Sequence, residues 1–129
     1  ALINLIDWIH DYVVENDFDI TFTNLEKENV TRELIRECLD NNGCVLARCY
    51  QDVEHYVLIT KMDDNFTYIF DPYYVEEDYY VNDEEVAVVL NAPFTHNRLV
   101  KTNRLFSEEH LDFSLMEISK REVVLIART

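Results

Sequence analysis

Glycine is almost missing from this sequence: there is one, Gly43, in 129 residues. Loops that cradle phosphates need several glycines, so neither a P-loop nor a dinucleotide-binding turn can be built here. Proline is nearly as scarce, at two residues, and no composition break suggests a linker or a repeat. Basic residues are also few: 11 Lys and Arg stand against 26 Asp and Glu, a formal net charge of -15. Phosphate backbones and anionic bilayers are repelled by such a surface, so neither nucleic acid nor a membrane is an expected partner. No run approaches the roughly 20 apolar residues that cross a bilayer, and no signal peptide is visible. Cys38, Cys44 and Cys49 are an odd number at no zinc-ligand spacing, and the four histidines are scattered. That pattern implies no metal or other cofactor. It suits reduced, mostly buried thiols in a cytoplasmic setting.

What is present is a core-forming chain, 48% hydrophobic and of single-domain length over 1–129. Leu2, Leu5, Ile6, Ile9 and Val13 recur at helical spacing and predict an amphipathic helix ending near Glu15 to Asp17. Residues 20–23 alternate and read as a short strand or an extended link. Thr31 caps a second helix through Leu34, Ile35, Cys38 and Leu39, with Gly43 expected to supply the left-handed residue at its end. Strands follow over 44–50, 55–61 and 67–71 as an antiparallel meander, with a polar turn over 62–65. Asn82 is expected to cap a short helix through Val86 and Leu90. The segment 98–100 is ambiguous, and 122–127 reads as a final buried strand. Helices first and a mainly antiparallel sheet afterwards predict an α+β fold.

The chemistry-bearing segment runs from His55 to Asp71-Pro72. A histidine opens one strand of a hairpin and an acid closes the next, so the two ends lie side by side. A carboxylate bonded to one imidazole nitrogen fixes the tautomer and leaves the other nitrogen to accept a proton from a nucleophile. The same two residues also suit a structural hydrogen bond at a strand end.

The flanking residues add a resemblance. Asn42-Gly43-Cys44-Val45-Leu46-Ala47, then His55-Tyr56-Val57-Leu58, then Tyr68-Ile69-Phe70-Asp71-Pro72 resemble the second half of the catalytic domain of the bacteriocin-processing, double-glycine leader peptidases. The match in order and spacing covers roughly residues 34–72 and is looser outside them. Asn97-Arg98 and Lys120-Arg121-Glu122-Val123-Val124-Leu125-Ile126 are similar to a branch of uncharacterised bacterial relatives. The resemblance implies a papain-like fold, with N-terminal helices packed on an antiparallel sheet. It implies thiolate attack on a peptide or other acyl carbonyl, with His55 as general base and acid and Asp71 as its orienter. The expected partner is a peptide or small acyl substrate.

The sequence departs from that family at the nucleophile. The family's cysteine opens the first helix, with an oxyanion-stabilising glutamine a little upstream; here the chain starts at Ala1-Leu2-Ile3, already inside the helical pattern. The expectation is a cysteine just before residue 1, or its loss. Cys44 and Cys49 fall in a central strand and Cys38 on the apolar stripe of the second helix, all expected to be inert. Three readings stay open: a peptidase, a thiol acyltransferase resembling the N-terminal domain of the butirosin-pathway acyltransferase, and a catalytically inactive peptide- or partner-binding domain. His10, His96 and His110 are expected in solvent. The aromatics Phe66, Tyr68, Phe70, Tyr73, Tyr74, Tyr79 and Tyr80 read first as packing. Beside them, Glu76-Glu77-Asp78 reads as a solvated loop, with a preference for a basic substrate segment as its functional alternative.

Overall fold

The computed structural model describes residues 2–16, 18–73, 75, 77–92 and 95–128, with side chains from residue 7 onward. Ala1, Asp17, Tyr74 and Glu76, and the side chains of Leu2, Leu5 and Ile6, which entered the expectations above, lie outside that description.

Helix α1 (Leu2–Glu15) is followed by strand β1 (Ile20–Glu26) and helix α2 (Arg32–Asp40). Strands β2 (Cys44–Gln51), β3 (Val53–Met62) and β4 (Phe66–Phe70) form the expected meander. Then come β5 (Val86–Val88), β6 (Arg98–Lys101), the short helix α3 (Thr102–Leu105) and β7 (Glu122–Arg128). The fold is α+β. Its seven strands form one sheet in the order β1-β7-β2-β3-β4-β6-β5, with every neighbouring pair antiparallel. The last strand thus returns to the middle and bridges β1 to the meander.

One face of the sheet carries the main core. Val45, Ala47 and Cys49 on β2 meet Val57 and Ile59 on β3, Ile69 on β4 and Val123 on β7, all essentially inaccessible to water. Helix α2 lies over β2, β3 and β7 and sends Ile35 and Cys38 into this layer. The segment after α3 adds Phe113 and Leu115. Helix α1 packs mainly on β1, at an edge of the sheet.

Helix α2 begins as its sequence predicts, with the Thr31 hydroxyl accepting the Leu34 N–H at 3.3 Å. Its end corrects the expectation. Asn42, not Gly43, takes the left-handed conformation, at φ 64°. Gly43 N–H reaches Cys38 O at 2.9 Å and Asn42 N–H reaches Leu39 O at 3.1 Å, the two bonds of a Schellman ending. Glycine is needed next to Asn42 for space: a Cβ on Gly43 would sit 2.6 Å from both Cys38 Sγ and Ile126 O.

The helix expected after Asn82 does not form. Asp83 Oδ1 instead accepts the Glu85 N–H at 2.9 Å, closing a turn, and Val86–Val88 pairs with β6. Acidic residues after an Asx-type residue favour a turn as well as a helix start. The β-branched valines then prefer the ladder that β6 offers. The ambiguous segment 98–100 is that partner.

Candidate functional site

His55 sits near the start of β3 with its side chain on the core face, directly across from Cys49 of β2. Its partner across β4 depends on a β-bulge. Beyond the bulge Lys61 pairs with Tyr68, whereas before it Ile59 pairs with Ile69 and Leu58 with Phe70. The shift of one residue falls at Thr60. Continued without it, the Lys61 register would set Asp71 beside Leu58, on the opposite face from His55. A one-residue slip exchanges the two faces of a strand. The bulge therefore brings Asp71 beside Val57 and diagonal to His55, on the same face.

The result is a bond of 2.7 Å between His55 Nε2 and Asp71 Oδ1. The imidazole is 22% exposed and the carboxylate side chain not at all. An ionised carboxylate only accepts, so Nε2 carries the proton, and in the neutral imidazole Nδ1 keeps its lone pair. Tyr73 N–H also reaches Asp71 Oδ1, at 2.9 Å. Asn97 grips the backbone of the same aspartate twice: Asp71 N–H donates to Asn97 Oδ1 at 2.7 Å, and Asn97 Nδ2 donates to Asp71 O at 2.8 Å. Arg98, with 2% of its side chain exposed, brings a guanidinium nitrogen to 3.7 Å from Asp71 Oδ2. That guanidinium is held by Tyr73 O at 2.7 Å and Asn97 O at 3.1 Å. A buried carboxylate is costly unless a charge and hydrogen bonds answer it. His55 and the Tyr73 amide answer Oδ1, Oδ2 makes no hydrogen bond and faces only the Arg98 charge, and Asn97 fixes the backbone that carries the carboxylate.

This arrangement orients an imidazole and leaves Nδ1 as the basic atom. The cysteines do not complete it. Cys49 is the cysteine facing His55 across the strands, yet it is fully buried. Burial pushes its thiol pKa far up, and the nearby Asp71 and Asp112 carboxylates push it further. Cys44 is raised by burial and by Cys38, and Cys38 by burial against the backbone contact at Ile126. Such thiols are poor nucleophiles. Among the described residues, no thiol or hydroxyl is hydrogen-bonded to His55.

No family model, curated protein or solved structure matches this chain. What the site does is therefore read from its own residues.

The remaining histidines stay away from the pair. His10 is exposed as expected and lies edge-on to Phe22, whereas His96, expected in solvent, is half-buried and lies edge-on to Tyr68. His110 is exposed as expected, but it is not alone: Nε2 bonds Glu117 at 2.8 Å and the ring stacks on Tyr50.

A cleft of about 270 Å³ has Tyr73 and Arg98, both in contact with Asp71, in its wall, while His55 and Asp71 themselves do not line it. Gln51 and Asp52, at the β2–β3 turn, form another part. Gln51 shares a sheet face with Cys49 and His55. Tyr80 donates to Asp112 Oδ2 at 2.8 Å. Burial, then that bond, pushes the Tyr80 hydroxyl up to about 12, so it stays a neutral donor. Gln51 and Asp112 carry no sequence signal, and Tyr80 carries one only as part of the aromatic stretch over 66–80. They are separated by tens of residues and share no spacing, so only the tertiary fold assembles them.

Proposed function

We propose that this chain carries the base-and-orienter half of a papain-like, cysteine-peptidase-like site acting on a peptide or other acyl carbonyl. His55 Nδ1 takes the proton of an attacking thiol as sulfur bonds to the carbonyl carbon. It returns that proton to the leaving group as the tetrahedral adduct collapses. Asp71 holds the ring and stabilises the imidazolium formed between the two steps. Water then releases the acyl group in a peptidase, and another nucleophile takes it in an acyltransferase. The observation that carries this reading is the 2.7 Å His55–Asp71 bond, with the carboxylate fully buried and the Asp71 backbone clamped by Asn97. The meander and the helix α2 over it support the papain-like arrangement, and the free thiols support a reducing, cytoplasmic setting.

The nucleophile of this reading is none of Cys38, Cys44 and Cys49. Its test is an iodoacetamide probe on the protein as encoded, with the labelled site mapped by mass spectrometry. The expected result is fast labelling of a further cysteine, slowed strongly in His55→Ala. Labelling that His55→Ala leaves unchanged would overturn the role given to His55.

One observation favours a second reading, an inactive domain that binds peptides. Among the described residues no thiol is hydrogen-bonded to His55, and Cys49 opposite it is fully buried. Absence of any fast-labelling thiol in the encoded protein is the result this reading predicts.

A further inference from the structure

Helix α1 leaves large apolar groups uncovered. Among its described side chains Val13 is buried and Ile9 half-buried, and the helix packs on β1. Trp8, Tyr12 and Phe18 are each more than half exposed, yet they are not scattered. The Trp8 and Tyr12 rings stack at 6.4 Å between centroids, and Phe18 meets Tyr12 at the same distance. The three rings form one continuous strip along a flank of α1 and just past its end. A contiguous exposed apolar patch rimmed by polar groups marks an interaction surface, and aromatic rings are the usual anchors there.

The charges beside the strip decide which partner fits it. Asp7, Asp11 and Glu15 recur at every fourth position, so they run as a row along α1 next to the row of Trp8 and Tyr12. All three are exposed, and among the described residues the one ion-pair contact they make is between Asp11 and the His10 ring, at 4.0 Å. No Lys or Arg precedes Lys27 in the sequence. Like charges four residues apart repel, and Glu15 adds its charge to the negative end of the helix dipole. A partner with cations at the same spacing relieves both. An anionic bilayer does not, because helices that lie on membranes carry Lys and Arg beside their aromatics. A second copy brings the same acidic row and a further net charge of -15. A basic but wholly polar chain leaves the rings in water.

We infer that the Trp8–Tyr12–Phe18 flank of α1 docks a basic amphipathic helix of another protein. Apolar side chains of that helix lie on the three rings. Its Lys or Arg side chains, four residues apart, pair with Asp7, Asp11 and Glu15. Laying an apolar helix face on an apolar strip, with charges matched alongside, is a common mode of helix recognition. The inference goes beyond the proposed function and does not depend on the chemistry of His55 and Asp71.

Trp8 is the only tryptophan in the sequence, so its fluorescence reports on the strip directly. The probe is an end-capped amphipathic helical peptide of leucine and lysine, titrated into the whole protein. Two control peptides replace every lysine by glutamate or every leucine by alanine. The leucine–lysine peptide should move Trp8 emission to shorter wavelength and bind roughly tenfold or more tighter than either control. In the double variant Tyr12→Ser, Phe18→Ser that affinity should fall about tenfold, with Trp8 still present as reporter. In Asp7→Asn, Asp11→Asn, Glu15→Gln the advantage of lysine over glutamate should shrink severalfold. All five substituted positions are exposed, so both variants should keep the fold. Equal binding of the three peptides, or emission unmoved by any of them, would overturn the inference. Affinity unchanged in both variants would do the same, because the net negative surface alone would then hold the peptide. A loss in the serine variant without one in the amide variant would overturn the basic character of the partner. Emission already at short wavelength and shielded from iodide before any peptide is added would show the strip covered by the protein itself or a second copy, and overturn the docking. An equal shift on anionic vesicles would assign the strip to a bilayer instead.

Discussion

Two histidine–carboxylate pairs of nearly equal length occur in this protein, and they are built differently. His55 Nε2 lies 2.7 Å from Asp71, and His110 Nε2 lies 2.8 Å from Glu117. The first carboxylate is wholly inaccessible and is met by the Tyr73 amide and the Arg98 charge, with Asn97 holding its backbone. The second is 35% exposed, and its imidazole 49%. Distance alone would rank them together. Burial and the surrounding bonds separate an imidazole held in the interior from one half open to water.

The largest break in that contrast is Asp71→Ala, which strands the buried Arg98 guanidinium. A broken buried pair costs about 3–5 kcal/mol, so the urea midpoint should fall steeply. Glu117→Ala, measured alongside it, should leave the midpoint almost unmoved. Equal losses in the two variants would erase the distinction.

A smaller effect belongs to Asn97→Ala. It removes two bonds to the Asp71 backbone and leaves a buried N–H and C=O unanswered, a cost of about 1–3 kcal/mol. Its urea midpoint should lie between those of Asp71→Ala and the unaltered protein.

The smallest effect is a pH dependence at the exposed pair. The Glu117 backbone N–H, then His110 and Lys120, hold its carboxyl at about 2 rather than the ordinary 4.5. A depressed folded-state pKa contributes stability above the unfolded value and loses it as pH falls. The Glu117 contribution is thus present above pH 4.5 and lost on the way down to about 2. Glu117→Gln should flatten the thermal midpoint slightly over that window, and added salt should remove even this difference. A large effect that survives high salt would mean that the exposed pair is as well held as the buried one.

Much of the fold is legible in the residues. Thr31 announces a helix, the 44–71 meander alternates clearly, and Asp71-Pro72 ends a strand as a proline should. The pairing of His55 with Asp71 follows from the hairpin, but its phase does not. The bulge at Thr60 decides which face Asp71 occupies, and nothing in Ile59-Thr60-Lys61 marks it, because a bulge is set by what both strands bury. Residues 82–90 misled for a related reason: acidic residues after an Asx-type start serve a helix or a turn, and β6 settled the choice. Asn97 and Arg98 support the site from about 26 residues away, a distance at which local pattern carries no information about contact. Gly43 answers to a close approach between α2 and β7 rather than to its own backbone angle.

The claim most exposed to test is that Asp71 fixes the His55 tautomer and leaves Nδ1 basic. Nitrogen-15 NMR of the His55 ring reads this directly, with His55→Gln assigning the signals among the four histidines. The account predicts a protonated Nε2, with a downfield proton shared with Asp71, and an unprotonated Nδ1. A ring protonated at Nδ1 with Nε2 bare, or one averaging freely between the two tautomers, would contradict it.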